Sequence, residues 1–252
     1  MKNSIALIFL LNSLTCFSTN HFYKDSYPTK NSAYEDLLVR HTKDSFERAM
    51  RRESNLNNSR LESPEFFKDI HNQSPHGLIP YLHIVNNLCS LQDAAHLHIG
   101  LYTGASFICA LLGNEKHLTD KIGIDWYVDD KSLRHKEICL NACNKYLEKK
   151  DFTFLVSDCF AVDISLFKRP IDIYVYDAGH AMLEQEMAFT YYNSIFAKTF
   201  IAVVDDWAWD QVREGTFKAF DKLNYEILYE CEIPSGDSLG NGQYIAVIRK
   251  TA

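Results

Sequence analysis

The chain has no Cys-x-x-Cys pair, although it carries seven cysteines, at 16, 89, 109, 139, 143, 159 and 231. No His or Cys partner completes a zinc spacing, so a structural zinc site is excluded. The irregular pattern also argues against a disulfide framework, and the cysteines read as small buried apolar residues. Gly-x-Gly-x-x-Gly is missing, which disfavours an NAD-dependent oxidoreductase. No strand-to-helix turn carries a nucleophile elbow. The one Gly-x-Ser-x-Gly spacing, Gly236 to Gly240, falls in the loop of a predicted hairpin and lends a hydrolase no support. There is no apolar run near the roughly 20 residues that a spanning helix needs. Cationic excess is absent too: 26 Lys and Arg face 33 Asp and Glu, a net charge of −7, with no broad footprint for nucleic acid. The short Arg51–Arg52 run reads as a solvated face.

What is present is an α/β pattern. The 252 residues fit one domain with an appendage, and a 46% hydrophobic fraction suffices for a buried core. Lys2 and the apolar run Ile5 to Leu11 resemble a secretory leader ending near Ser18, with a packed N-terminal helix as the alternative. Residues 1–18 are set apart on this ground. Residues 19–75 are polar and aromatic and read as a cap or lid, with a helix over His41–Arg52 and a loop over Ser54–Phe66. Residues 76–252 form the main domain. A helical stripe over Gly77–Leu91, including Tyr81, leads into alternating strands and helices.

The predicted strands are Ala95–Ile99, Lys121–Ile124, Phe152–Val156, Ile171–Tyr176 and Phe200–Val204. The predicted helices are Ser106–Leu112, Lys131–Lys149, Ala181–Phe196 and Gln211–Leu223. A terminal hairpin, Tyr225–Cys231 and Gln243–Arg249, follows. Near-continuous apolar strands alternating with helices predict a mostly parallel sheet covered on both faces.

Ligands in such sheets bind beyond the carboxyl ends of the strands. Gly100 and Gly104, after the first strand, permit a tight turn and a close backbone approach. Ser106 can cap the next helix. Asp125 ends the second strand about 20 residues past the glycine turn, where a carboxylate can accept from ribose hydroxyls. Trp126 beside it can stack on a base. After the third strand come Asp158, Cys159 and Phe160: Asp158 can bond an adenine amino group or cap the short helix, and Phe160 can flank the ring. Asp177, Asp205 and Asp206 end the fourth and fifth strands. Clustered carboxylates repel unless a cation neutralises them, and oxygen-only ligands suit Mg²⁺. His180 lies three residues after Asp177 and can take a proton from a substrate.

In this order, HIGLYTGAS, IGID, SDCF, DIYVYDAGH, VVDDW and the hairpin resemble class I S-adenosylmethionine-dependent methyltransferases. The pattern looks closest to the branch of macrocin and novobiocin-pathway O-methyltransferases and cephalosporin hydroxylase-like proteins. The resemblance covers about Gly77 to Arg249. It implies a seven-stranded Rossmann-like sheet ordered 3-2-1-4-5-7-6 with the last strand antiparallel. It implies Gly100 and Gly104 beside the methionine part of the cofactor, Asp125 on ribose, Asp158 by adenine, and Mg²⁺ on Asp177, Asp205 and Asp206. His98 stands where the family carries an acid, two before the first glycine. Gly179 stands where some members carry a second acid, which moves any base role to His180. The expectation is methyl transfer to an oxygen of a small-molecule acceptor by an enzyme that can form a homo-oligomer. Cofactor supply favours the cytoplasm, and the leader points to secretion. The competing reading is a catalytically degenerate binding or regulatory protein on the same scaffold.

Overall fold

The computed structural model describes residues 7–8 (backbone only), 32–54, 61–70, 79–148, 151–236 and 241–251. Seven strands form the body of one sheet: β1 (Ala95–Ile99), β2 (Asp120–Asp125), β3 (Thr153–Val156), β4 (Ile171–Tyr176), β5 (Phe196–Val204), β6 (Tyr225–Ile233) and β7 (Gln243–Lys250). Their order is 3-2-1-4-5-7-6, parallel except for β7, which runs antiparallel to both β5 and β6. A two-residue strand, Leu7–Ile8, pairs antiparallel with the outer edge of β3 and was not expected from the sequence. The rest of the leader region lies outside the described residues.

Side chains alternate between two cores, as the period of a strand requires. Ile173, Val175, Ile201, Val203, Ile245 and Val247 face one core; Leu97, Ile99, Tyr174, Tyr176, Ala202, Val204 and Ala246 face the other. Helices α1 (Ser32–Met50), α2 (Pro64–Asp69), α3 (Ile79–Leu88), α4 (Ala105–Leu111) and α5 (Asp130–Tyr146) contribute to the first core. Helices α6 (Met182–Thr190) and α7 (Asp210–Lys222) cover the second. Both faces are therefore buried, and the central strands read as continuous apolar runs. Edge strand β6 is instead mostly half-buried or exposed and carries Glu226, Glu230 and Glu232, charges that discourage pairing with another chain.

The region expected to be a cap buries Leu38, Ala49, Leu61, Phe66, Phe67 and Ile70 in the first core. Helix α1 starts at Ser32, nine residues before the expected helix. Its core-facing residues are Leu38, Thr42, Ser45 and Ala49, mostly small or polar, so hydrophobic spacing could not show them. Helix α2 begins inside the stretch read as loop, at Pro64, and runs past its end at Phe66. Its signals were Ser63, whose hydroxyl accepts from the Phe66 N–H at 3.1 Å, and Pro64 in the first turn. Strand β5 starts at Phe196, not Phe200, because Lys198 is its single exposed residue and interrupts the apolar run.

Two buried asparagines join α3 to α4. Asn86 Nδ2 donates to the carbonyls of Cys109 (2.7 Å) and Leu112 (3.0 Å), which the end of α4 leaves without helical partners. Asn114 Nδ2 returns bonds to the carbonyls of Asn86 and Ala110 at 2.8 and 2.9 Å.

His96 and His98 share a face of β1, both fully buried, with rings 5.5 Å apart. Burial depresses His96 to about 4 and drives His98 down as well. An unfolded histidine titrates near 6.5, so below that pH the unfolded chain binds protons that the folded chain refuses. The histidine contribution is complete above pH 6.5 and lost as pH falls toward 4. The raised carboxyls described below act in the opposite sense. The expected outcome is therefore comparative: thermal unfolding between pH 7 and 4.5 loses less stability in His96→Leu than in the native chain. Equal losses contradict the assignment.

Candidate functional site

Level strand ends create the site. Ile99 pairs with Ile124 and Tyr176, Tyr176 with Val204, and Asp125 with Val156. The residues that follow therefore emerge along one edge. Backbone bonds extend this alignment past the strands: Gly100 N–H donates to Ile124 O (2.9 Å), Asp177 N–H to Ile99 O (2.8 Å), and Asp205 N–H to Tyr176 O (3.1 Å). Gly100, Asp125, Asp177 and Asp205 consequently share the carboxyl edge of the sheet. Strand β1 is the switch point, with β2 on one side and β4 on the other.

A cavity of about 290 Å³ opens there, lined among others by Gly100, Asp125, Trp126, Asp158, Cys159 and Phe160. These are six of the residues expected from sequence. Trp126 is 57% exposed, so a ring face is free for stacking. Gly100 sits at φ +84°, and a Cβ there would lie 1.7 Å from the Asp177 carbonyl oxygen. The bend closes onto Asp125, whose Oδ2 accepts from Leu101 and Tyr102 N–H at 2.7 Å each and whose Oδ1 accepts from Trp126 N–H at 2.6 Å. Asp158 Oδ1 accepts from the Phe160 N–H at 2.9 Å, capping the short turn Cys159–Ala161. Burial first, then the Asp158 charge, pushes the Cys159 thiol up to about 12, so it stays protonated and is no nucleophile.

Seven of the expected residues do not line the cavity: His98, Gly104, Ser106, Asp177, His180, Asp205 and Asp206. Gly104, at φ +92°, is the N-cap of α4, so Ser106 lies within the helix and does not cap it. Ser106 Oγ instead hydrogen-bonds His98 Nε2 at 3.0 Å, and both are buried. A fully enclosed imidazole cannot reach a ligand directly as an exposed strand-end acid would.

Beside the cavity, one carboxylate oxygen from each of Asp177, Asp205 and Asp206 lies within 4.8 Å of the others. Burial, then the Asp205 and Asp206 charges, raises the Asp177 carboxyl well above the usual range. Burial also raises Asp205, against the pull of its Gln243 hydrogen bond. Three oxygens at this separation could be spanned by a hard divalent ion, whose bonds to oxygen run about 2.0–2.6 Å. His180 Nε2 lies 2.6 Å from Asp206 Oδ2, with its ring 4.7 Å from that of Trp209. Asp206 has a left-handed backbone, φ 55°.

Sequence reasoning missed the supports. Gln243 Nε2 donates to Asp205 Oδ1 at 2.7 Å, and Asn241 Nδ2 donates to Asp206 Oδ1. Trp207 and Ala208 N–H donate to the carbonyls of Gly242 and Asn241. The loop before β7 thus fixes the acidic loop after β5. Nothing in the local sequence announces this, because the partners lie more than 30 residues apart. Tyr81, read only as an apolar position of α3, is 1% exposed with no hydrogen-bond partner for its hydroxyl among the described residues. Burial and the charges of Asp177 and Asp205 push that hydroxyl up.

Gly100→Ala tests the backbone approach. The added methyl must displace the Asp177 carbonyl at a left-handed position, so the variant should lose both stability and the affinity of the cleft for a nucleoside. Thermal unfolding and ligand titration read the two effects, and a variant as stable as the native chain would refute the contact.

No family model and no curated protein matches the chain. Solved structures do. A Staphylococcus aureus protein described as a caffeoyl-CoA O-methyltransferase is 11% identical with a TM-score of 0.53, over 86% of this chain and 99% of its own. A Geobacter sulfurreducens methyltransferase is 13% identical with a TM-score of 0.50, over 75% of this chain and 90% of its own. At this identity the likeness is one of architecture, and the chain has the Rossmann-like fold seen in methyltransferases, with strand order 3-2-1-4-5-7-6.

Proposed function

We propose that the chain transfers a methyl group from S-adenosylmethionine to an oxygen of a small-molecule acceptor. The observation that carries this reading is the common edge: the Gly100 bend, the Asp125 carboxylate, the exposed Trp126 ring and three further carboxylates lie along the carboxyl ends of adjacent strands. The resemblance to the macrocin, novobiocin-pathway and cephalosporin hydroxylase-like branch supports it through the DxxxxDxxH and DDxxW patterns, which contain Asp177, His180, Asp205 and Asp206.

In the proposed reaction the acceptor oxygen attacks the methyl carbon in line with sulfur. The carbon–sulfur bond breaks with its electrons on sulfur, leaving the neutral thioether S-adenosylhomocysteine. The protein contributes alignment, an effect worth several kcal/mol. His180, held by Asp206 and Trp209, takes the acceptor proton. Asp177, Asp205 and Asp206 would hold Mg²⁺, which lowers the pKa of a bound hydroxyl. The His180 contact means that imidazole and cation share Asp206. Asp125 has already given both oxygens to backbone donors, so ribose would use their remaining lone pairs. The acidic cleft suits a sulfonium better than its neutral product.

The rival reading, a binding protein on a degenerate scaffold, draws on His98, whose enclosed position replaces the acid of the family pattern. Titration calorimetry with S-adenosylhomocysteine and activity on hydroxylated acceptors separate the two. Binding that weakens at least about tenfold in Asp125→Ala supports the cofactor site. Binding without turnover over a broad acceptor panel favours the rival.

The metal has its own signature. Removing one of three mutually repelling carboxylates relieves the metal-free protein. Asp205→Asn is expected to raise the unfolding temperature in chelator yet abolish the rise that Mg²⁺ gives the native chain. A native chain indifferent to Mg²⁺, in stability and in turnover, would remove the metal from the proposal.

A further inference from the structure

The cleft has a second polar wall to which neither the sequence pattern nor the proposed mechanism gives a role. Glu184, in the first turn of α6, lines the cavity along with residues of the β2 and β3 loops. Its Oε2 accepts from the Ala181 N–H at 3.0 Å, which fixes the carboxylate. Glu184 Oε1 has no partner, and the residue makes no ion pair, among the described residues. Gly179 keeps the path open: a Cβ there would lie 2.5 Å from both the Glu184 Cδ and Oε2. Tyr176 lines the same cavity, is 1% exposed, and its hydroxyl has no hydrogen-bond partner among the described residues. A buried hydroxyl without a partner costs stability, typically about 1–3 kcal/mol, which a ligand can return by pairing with it. Glu184 and Tyr176 line the one cavity, together with Ala178 and Gly179 between them in the chain.

We propose that Glu184, with the Tyr176 hydroxyl beside it, contacts the nucleoside base and selects a 6-aminopurine over a 6-oxopurine. The inference rests on the nucleoside-cofactor reading above. Its chemistry is direct. An ionised carboxylate only accepts, so it pairs with an exocyclic amine and repels a carbonyl oxygen. Asp158 on the facing loop has the same character, with Oδ1 spent on a backbone N–H and Oδ2 free among the described residues. The amine carries two N–H bonds, enough for an acceptor on each wall. A site built to receive donors discriminates strongly against a ligand that lacks them.

The test is titration calorimetry with S-adenosylhomocysteine and S-inosylhomocysteine on the full chain, on Glu184→Gln and on Tyr176→Phe, with thermal unfolding of each in parallel. The native chain should prefer the amino form by at least about tenfold, the scale of one charge-assisted hydrogen bond. Glu184→Gln should cut that preference severalfold, leaving the part that Asp158 supplies, because an amide can donate as well as accept. Tyr176→Phe should weaken the amino form severalfold while raising the unfolding temperature of the free protein, a pairing of signs that a purely structural tyrosine does not give. If the native chain binds neither compound, the cofactor reading falls. If it binds both equally, or binds with a preference that both variants retain, the cofactor reading stands and the role of Glu184 is overturned. Should Glu184→Gln fail to fold, the native preference and Tyr176→Phe decide the question.

Discussion

The Asp125 carboxylate, gathering three backbone N–H groups, is the constraint on which the rest of the cleft depends. Those donors belong to the bend after β1 and to the residue after β2, so one side chain closes two adjacent loops on each other. Closure leaves Gly100 against the Asp177 backbone, and that contact sets how near β4 brings its own terminal acid. The cavity is thus a by-product of main-chain pairing carried one residue beyond the sheet. Side chains decorate an edge that hydrogen bonds between peptide groups have already levelled.

The acidic side of the cleft inverts the usual economy of a folded protein. Three carboxylates held close together and partly dehydrated cost stability, and the raised acids of Asp177 and Asp205 record that strain. The chain supports the arrangement from a distance, with Asn241 and Gln243 donating from the β6–β7 hairpin. Such stored unfavourable energy is characteristic of places that await a counter-charge. The buried hydroxyls of Tyr81 and Tyr176, without a close partner among the described residues, lie on opposite faces of the sheet.

Strand positions were legible because each strand is short, apolar and bounded by turn residues; the sheet order came from the resemblance of the strand-end motifs to class I methyltransferases and matches the order observed. The strand-end residues followed at once: Gly100, Asp125, Trp126, Asp158, Cys159 and Phe160 all line one cavity. Illegible were features that depend on partners far apart in the chain. Helix α1 faces the core with Thr42 and Ser45, which no hydrophobic count detects. Ser106 looked like a cap but lies inside its helix, because Gly104 takes the cap position with a left-handed backbone. His98 read as a substituted ligand residue, yet its neighbours are Ser106, His96 and Phe107. The Glu184 carboxylate sits where a Cβ on Gly179 would crowd it, a closeness visible in three dimensions alone.

The paired asparagines between α3 and α4 carry a mechanical implication. Helix α4 has seven residues and so spans about 10 Å, too short to flex along its length. One end carries the Gly104 bend; the other is gripped by Asn86 and Asn114. Any tilt of α3 is therefore delivered, lever-fashion, to the loop that shapes the cleft. Helices α1 to α3 thus act as a chassis for the loops that shape the cavity, without lending it a residue.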